Sequence, residues 1–200
     1  MPKRPWSGLL CARCALLLAL GVVGCGPSGP VFKNSDITGS DCCKDFRLTD
    51  HNGKTRTLAD FHGKVVVVFF GYTQCPDVCP TTLTEMKAAL QQLGADAKRV
   101  QVLFISVDPE RDTRELLAHY VPAFDPSFLG LFGDAQATAK TAKEFHVFYQ
   151  KQPGSTPESY SVDHTAGSYV FDPQGRVRLF VRYGEDKDLV ADLRTLLREG

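Results

Sequence analysis

Cys75 and Cys79 stand in the stretch Gly71-Tyr72-Thr73-Gln74-Cys75-Pro76-Asp77-Val78-Cys79-Pro80, directly after the apolar run Val65 to Phe70. Two thiols at that spacing can do two kinds of chemistry. They can exchange with disulfides, or they can capture a soft metal ion as thiolates. A redoxin pair has two intervening residues and closes a small ring. Three intervening residues make a wider loop, in which both sulfurs can converge on one point, and this suits bidentate capture of an ion. Two thiolates leave a copper(I) ion short of a third donor, for which imidazole is a natural partner.

The elements that must position these thiols are a strand and a helix. Val65 to Tyr72 is nearly continuous in apolar residues, as expected of a strand covered on both faces. The residues after Pro80 read as a helix from about Thr81 to Leu93. Pro80 suits its first position, Thr82 to Glu85 matches a capping box, and Gly94 suits the far end. A strand-to-helix junction aims backbone N–H groups and the positive end of the helix dipole at the thiols, which favours the thiolate.

Five histidines could supply the imidazole. His51 falls in a hairpin turn, His62 in a bend, His119 on a helix and His146 at a helix boundary, and these four read as structural. His164, in Asp163-His164-Thr165-Ala166, comes just before the strand that starts near Tyr169. In thioredoxin-like folds the loop entering that strand crosses the dithiol. Ordinary redoxins carry a cis-proline there, near the position of Ala166. His164 is therefore the expected third ligand, and Asp163 reads either as a candidate for orienting its ring or as an ordinary loop-capping residue.

The rest of the chain alternates strand and helix. Phe46 to Thr49 and Thr55 to Leu58 read as a hairpin turned by Asn52-Gly53. Val100 to Val107 is a second buried strand, and helices are expected from Thr113 to about Tyr120 and from Asp134 to Phe145. His146 to Gln150 reads as a short strand, and Lys151 to Tyr160 as a surface insertion rich in proline and small polar residues. A hairpin, Tyr169 to Phe171 with Val177 to Tyr183, precedes a closing amphipathic helix from Asp186 to Arg198. This describes a thioredoxin-like α/β fold with an N-terminal β-hairpin extension and an inserted surface loop before the C-terminal hairpin and helix. Asp108, Arg111 and Asp112 read as a loop that caps a strand and pairs its charges. The vicinal pair Cys42-Cys43 is open to several readings: apolar filler, a vicinal disulfide, a resolving pair for Cys75 and Cys79, or a second soft-metal site.

Four segments, Asp36 to Gly39, Gly71 to Pro80, Ile105 to Thr113 and Asp163 to Ala166, together resemble the Sco/SenC family. The resemblance runs from about Asp36 to the C-terminus. It implies a copper metallochaperone with one copper per domain, held by Cys75, Cys79 and His164. It also implies a role in metallating the copper A centre of cytochrome c oxidase. The alternative it leaves open is a thiol–disulfide reductase, with Cys75 and Cys79 as a redox-active disulfide that keeps the oxidase's copper-site cysteines reduced. The implied partners are subunit II of the oxidase and a copper-donor chaperone. The chain is then an assembly factor rather than an enzyme. A peroxide-reducing redoxin fits less well, because Pro76-Asp77 places an acid beside Cys75. Structural zinc wants four ligands, and three are evident.

Composition and address agree with an extracytoplasmic protein. The chain carries 23 basic and 23 acidic residues with no basic stripe, which argues against a nucleic-acid partner. At 43 % hydrophobic, with 13 Phe, it can bury a core without disulfide staples. Lys3 and Arg4 followed by the apolar run Cys14 to Gly24 read as a signal peptide, residues 1–24, too short to span a bilayer. Val22-Val23-Gly24-Cys25 resembles a bacterial lipobox, in which Cys25 would be acylated. Residues 25–40 read as the lipid-bearing cysteine and a flexible tether, and residues 41–200 as the domain. The expected location is the periplasmic face of a bacterial cell membrane, held there by the lipid anchor.

Overall fold

The centre of the fold is built by two apolar runs, every residue of which is buried, Val65–Gly71 and Val100–Ser106. The computed structural model describes residues 1–3, 29–156 and 159–199. In chain order the first five strands are β1 (Ser35–Asp36), β2 (Leu48–Asp50), β3 (Thr55–Arg56), β4 (Val65–Gly71) and β5 (Val100–Ser106). They are followed by β6 (Leu129–Phe132), β7 (Tyr149–Gln152), β8 (Ser161–His164), β9 (Gly167–Phe171) and β10 (Val177–Arg182). The helices are α1 (Val78–Leu93), α2 (Arg114–Phe124), α3 (Ala135–Glu144) and α4 (Leu189–Glu199).

Eight strands form one sheet in the order β1-β10-β9-β4-β5-β6-β2-β3. β4 pairs in parallel with β5 from Val65↔Val100 to Gly71↔Ser106, so both strands end at the same rim. On its other side β4 pairs antiparallel with β9, with Phe69 opposite Ser168. β7 and β8 form a separate two-stranded sheet, with Tyr149 opposite His164. Helix α1 buries a stripe, Cys79, Leu83, Met86, Leu90 and Leu93, at helical spacing. It packs against α4, whose Leu189, Leu193, Leu196 and Leu197 are buried. This is the thioredoxin-like α/β arrangement with its hairpin extension.

Several boundaries differ from the sequence reading, each for a local reason. Helix α1 begins at Val78, so Pro80 is its third residue, where the missing N–H is still one of the donors without an intrahelical partner. Thr82 and Thr84 do not cap the helix. Their hydroxyls donate back to the carbonyls of Val78 and Pro80, each at 2.8 Å. The first hairpin is shorter than expected, because Leu58–Phe61 winds into a 3-10 turn in which Asp60 accepts from Thr57 N–H at 2.7 Å. Helix α2 runs on to Phe124 with Pro122 inside it. The strand after α3 starts at Tyr149 and takes in Gln152 from the expected insertion.

Of the tether expected over residues 25–40, residues 31–40 belong to the unit Val31–Gly200. There the buried carboxylate of Asp192 accepts from Lys33 N–H at 2.8 Å and from both Asn34 N–H and its side-chain amide. β1 then adds to the sheet edge beside β10. Residues 4–24 of the expected signal peptide, and Cys25, lie outside the described residues. No helix among the described residues is long and apolar enough to cross a membrane.

Candidate metal centre

The site lies at the rim where β4 ends. Residues 72–77 turn the chain from β4 into α1, placing Cys75 in the turn and Cys79 as the second residue of the helix. Cys79 is fully buried, and Cys75 is half-buried. The sulfur of Cys79 sits so close to the strand that a Cβ on Gly71 would lie 2.7 Å from it. Glycine at position 71 is thus a packing requirement.

One of the helix's unpartnered donors serves the site directly. The backbone N–H of Cys79 donates to Cys75 Sγ at 3.4 Å. Sharing of the Cys79 thiol proton, together with backbone N–H groups and the nearby His164 ring, outweighs burial and brings the Cys75 thiol down to about 5. The Cys79 thiol moves the other way, raised by its bond to Cys75 and by burial. The pair is therefore held as one thiolate and one thiol.

His164, the last residue of β8, brings its ring over this pair. Its Nε2 is 3.6 Å from Cys79 Sγ, and its Nδ1 is 3.1 Å from the carbonyl oxygen of Thr165. A carbonyl can only accept, so Nδ1 carries a proton and the ring is held with Nε2 facing the sulfurs. Phe69 and Tyr72 each meet the imidazole edge-on, with ring centroids 6.0 Å away. Sγ of Cys75, Sγ of Cys79 and a ring nitrogen of His164 all lie within 4.8 Å of one another. Among the described residues this is the one such grouping of three His, Cys, Asp or Glu donors. Two sulfurs and one imidazole form a soft donor set, suited to copper.

Of the two readings of Asp163, the orienting role is not the one it takes. It is exposed, and its carboxylate accepts from the Gln152 amide at 2.7 Å, so the Thr165 carbonyl fixes the ring instead. Of the other histidines, His51 is buried and accepts from Gly130 N–H at 3.0 Å, a structural role, while His62, His119 and His146 are exposed.

The charged cluster after β5 does more than cap a strand. The buried carboxylate of Asp112 accepts from the Thr73 hydroxyl at 2.6 Å, from Thr73 N–H at 3.2 Å and from the Ser106 hydroxyl at 2.6 Å. Arg111 pairs with Asp108 at 2.5 Å and donates to the Gln74 side chain at 3.2 Å and to the Tyr160 carbonyl at 2.8 Å. Its guanidinium also stacks 3.5 Å from the centre of the Tyr160 ring. These residues clamp the turn that carries Cys75. The run Ser106 to Thr113 contains the signal, but spacing alone does not show which loop it grips.

Residues 34–198 match the SCO1/SenC family model. The chain belongs to the SCO1/SenC family. It is 41 % identical over 141 residues to the human mitochondrial SCO2 homolog, covering 70 % of this chain and 52 % of that protein. The chain thus spans about half the length of the curated relatives it matches. ScoI of Bradyrhizobium japonicum, solved with copper bound, is 42 % identical with a TM-score of 0.71, covering 76 % of this chain and 98 % of that one. A SCO1/SenC family lipoprotein of Bacillus anthracis str. Ames is 26 % identical with a TM-score of 0.67, covering 83 % of this chain and 99 % of its own.

Proposed function

We propose that this SCO1/SenC protein is a copper metallochaperone that serves assembly of the copper A centre of cytochrome c oxidase, with Cys75, Cys79 and His164 as the ligands of its cargo. The observation that carries this reading is the convergence of two sulfurs and an imidazole within 4.8 Å. Copper in the Bradyrhizobium relative supports it. The proposed partner is subunit II of the oxidase, with a donor chaperone upstream. Residues 1–24 are proposed as a signal peptide and Cys25 as the site of a lipid that holds the domain at the outer face of the cell membrane. The Bacillus lipoprotein relative supports this anchoring.

A second reading rests on the Cys75 thiol, which at about 5 is a competent nucleophile for disulfide exchange. Under it, Cys75 and Cys79 cycle as a redox-active disulfide and reduce the oxidase's copper-site cysteines. His164→Ala separates the two. A chaperone needs the imidazole, above all for copper(II), which prefers nitrogen donors more than copper(I) does. The variant should lose copper(II) binding, weaken copper(I) binding less, and fail to support oxidase assembly in cells. Its reduction of a model disulfide should be nearly unchanged. Normal oxidase assembly with His164→Ala, alongside failure with Cys75→Ser, would establish the reductase reading instead.

A further inference from the structure

Cys42 and Cys43 lie away from the candidate metal centre. They line an open hollow of about 660 Å³ together with Thr38, Lys44, Arg178 and Glu199. Gly175 to Val177, at the turn from β9 to β10, border the same hollow, whereas His164 precedes the other end of β9. This argues against a resolving role for Cys75 and Cys79.

Neighbouring side chains in extended chain point to opposite sides. Here they do not, because Cys43 takes a φ of +62°, one of two non-glycine residues with positive φ among those described. The two free sulfurs lie 2.8 Å apart, against the roughly 2.05 Å of a disulfide. The backbone around them is fixed by Glu144, the last residue of α3. Cys43 N–H donates to the Glu144 carbonyl at 3.0 Å, and Lys44 N–H to the Glu144 carboxylate at 2.9 Å. The strained turn is thus held by the end of α3, and it presents a preassembled dithiol with one sulfur half-buried and one buried.

We propose that Cys42 and Cys43 form a second thiol–disulfide site, which closes reversibly against a low-molecular-weight disulfide and works independently of Cys75 and Cys79. Burial raises the Cys43 thiol, and Cys42 is the more exposed of the two, so exchange begins at Cys42. Its thiolate attacks one sulfur of the incoming disulfide, forming a mixed disulfide and releasing one small thiol. The Cys43 sulfur then attacks Cys42 Sγ and releases the second. Two protein thiols become one disulfide, and the oxidant disulfide takes up two electrons and two protons as two thiols.

Glutathione redox buffers, acid quenching, alkylation of the unfolded chain and tryptic mapping test this on the full chain. Residues 34–44 form one peptide with Cys42 and Cys43 as its cysteines, and residues 65–87 another with Cys75 and Cys79. As the oxidised fraction rises, the 34–44 peptide should lose both alkyl groups and the mass of two hydrogens, and should regain the thiols on return to reduced glutathione. The Cys75→Ser/Cys79→Ser double variant should do the same. In Cys42→Ser, which spares the buried position, Cys43 should stay alkylatable throughout. The proposal is overturned if the 34–44 peptide stays doubly alkylated while 65–87 closes. A lasting glutathione adduct on Cys42, or a cross-link between the two peptides, overturns it as well.

Discussion

The backbone N–H of Cys79 donates to the sulfur of Cys75 at 3.4 Å, so the first turn of α1 stabilises charge on the neighbouring thiol while its own thiol stays buried. The two cysteines are therefore unequal, and their substitutions have distinguishable effects.

Reduced protein should hold one copper(I) per chain, and either Cys75→Ser or Cys79→Ser should abolish tight binding, because one soft donor and an imidazole are left. Metal analysis after desalting measures this. Copper retained at one per chain by the double serine variant would place the site elsewhere and sink the ligand assignment.

Copper should stabilise the reduced fold and leave the oxidised one unmoved, since a Cys75–Cys79 disulfide offers no thiolate. At about a hundred times the dissociation constant the gain is roughly 2.7 kcal/mol. A domain of this size moves about 2–4 °C per kcal/mol, so thermal melts resolve it. Equal shifts in both redox states count against a thiolate site.

Alkylation of Cys75 should be nearly independent of pH around neutrality and fall through a half-maximum at about 5, as the thiolate is protonated. The sign follows from a depressed value, because the charged form persists to lower pH than in an ordinary thiol. Iodoacetamide rates on reduced, copper-free protein, read on the 65–87 peptide, report it. A midpoint near 8 to 9, the range of an unperturbed thiol, contradicts the geometry.

Asp112→Ala should destabilise the reduced protein by about 1–3 kcal/mol, because it strands the buried Ser106 hydroxyl and removes the partner of the half-buried Thr73 N–H. The freed Cys75 turn should also release copper faster. Urea unfolding and chelator competition measure the two effects. An unchanged off-rate would show that the clamp does not serve the site.

Gly71→Ala should cost about 1–3 kcal/mol by overpacking. The new methyl would meet Cys79 Sγ at 2.7 Å and the Phe104 ring at 2.9 Å. Copper affinity should fall even though no ligand is altered. Wild-type stability and affinity together would mean that the sulfur has room to move.

The central part of this molecule is legible in its sequence. β4 and β5 are unbroken apolar runs that only a doubly covered strand accommodates, and α1 shows a clear apolar stripe. β1 is two exposed residues, and β6 is four residues with Gly130 inside, so neither has a period to detect. The grouping of Cys75, Cys79 and His164 follows from donor chemistry and loop position. The Asp112 clamp depends on a contact 39 residues away in sequence, and spacing does not encode that partner. Asp163 misleads because adjacency to a histidine says nothing about which way a carboxylate points along a strand.

β7 and β8 pair only with each other, while β4 is embedded in the eight-stranded sheet. The donor set is consequently divided between two hydrogen-bonded bodies, with the sulfurs on the central sheet's rim and the imidazole on a small ribbon. Cooperative opening units tend to follow such boundaries. Fraying of the ribbon alone would withdraw the nitrogen and leave both sulfurs in place, so a bound ion can lose one ligand without the core unfolding. With Cys75, Cys79 and His164 as the proposed ligands, release would begin at the imidazole and end at the fully buried sulfur of Cys79.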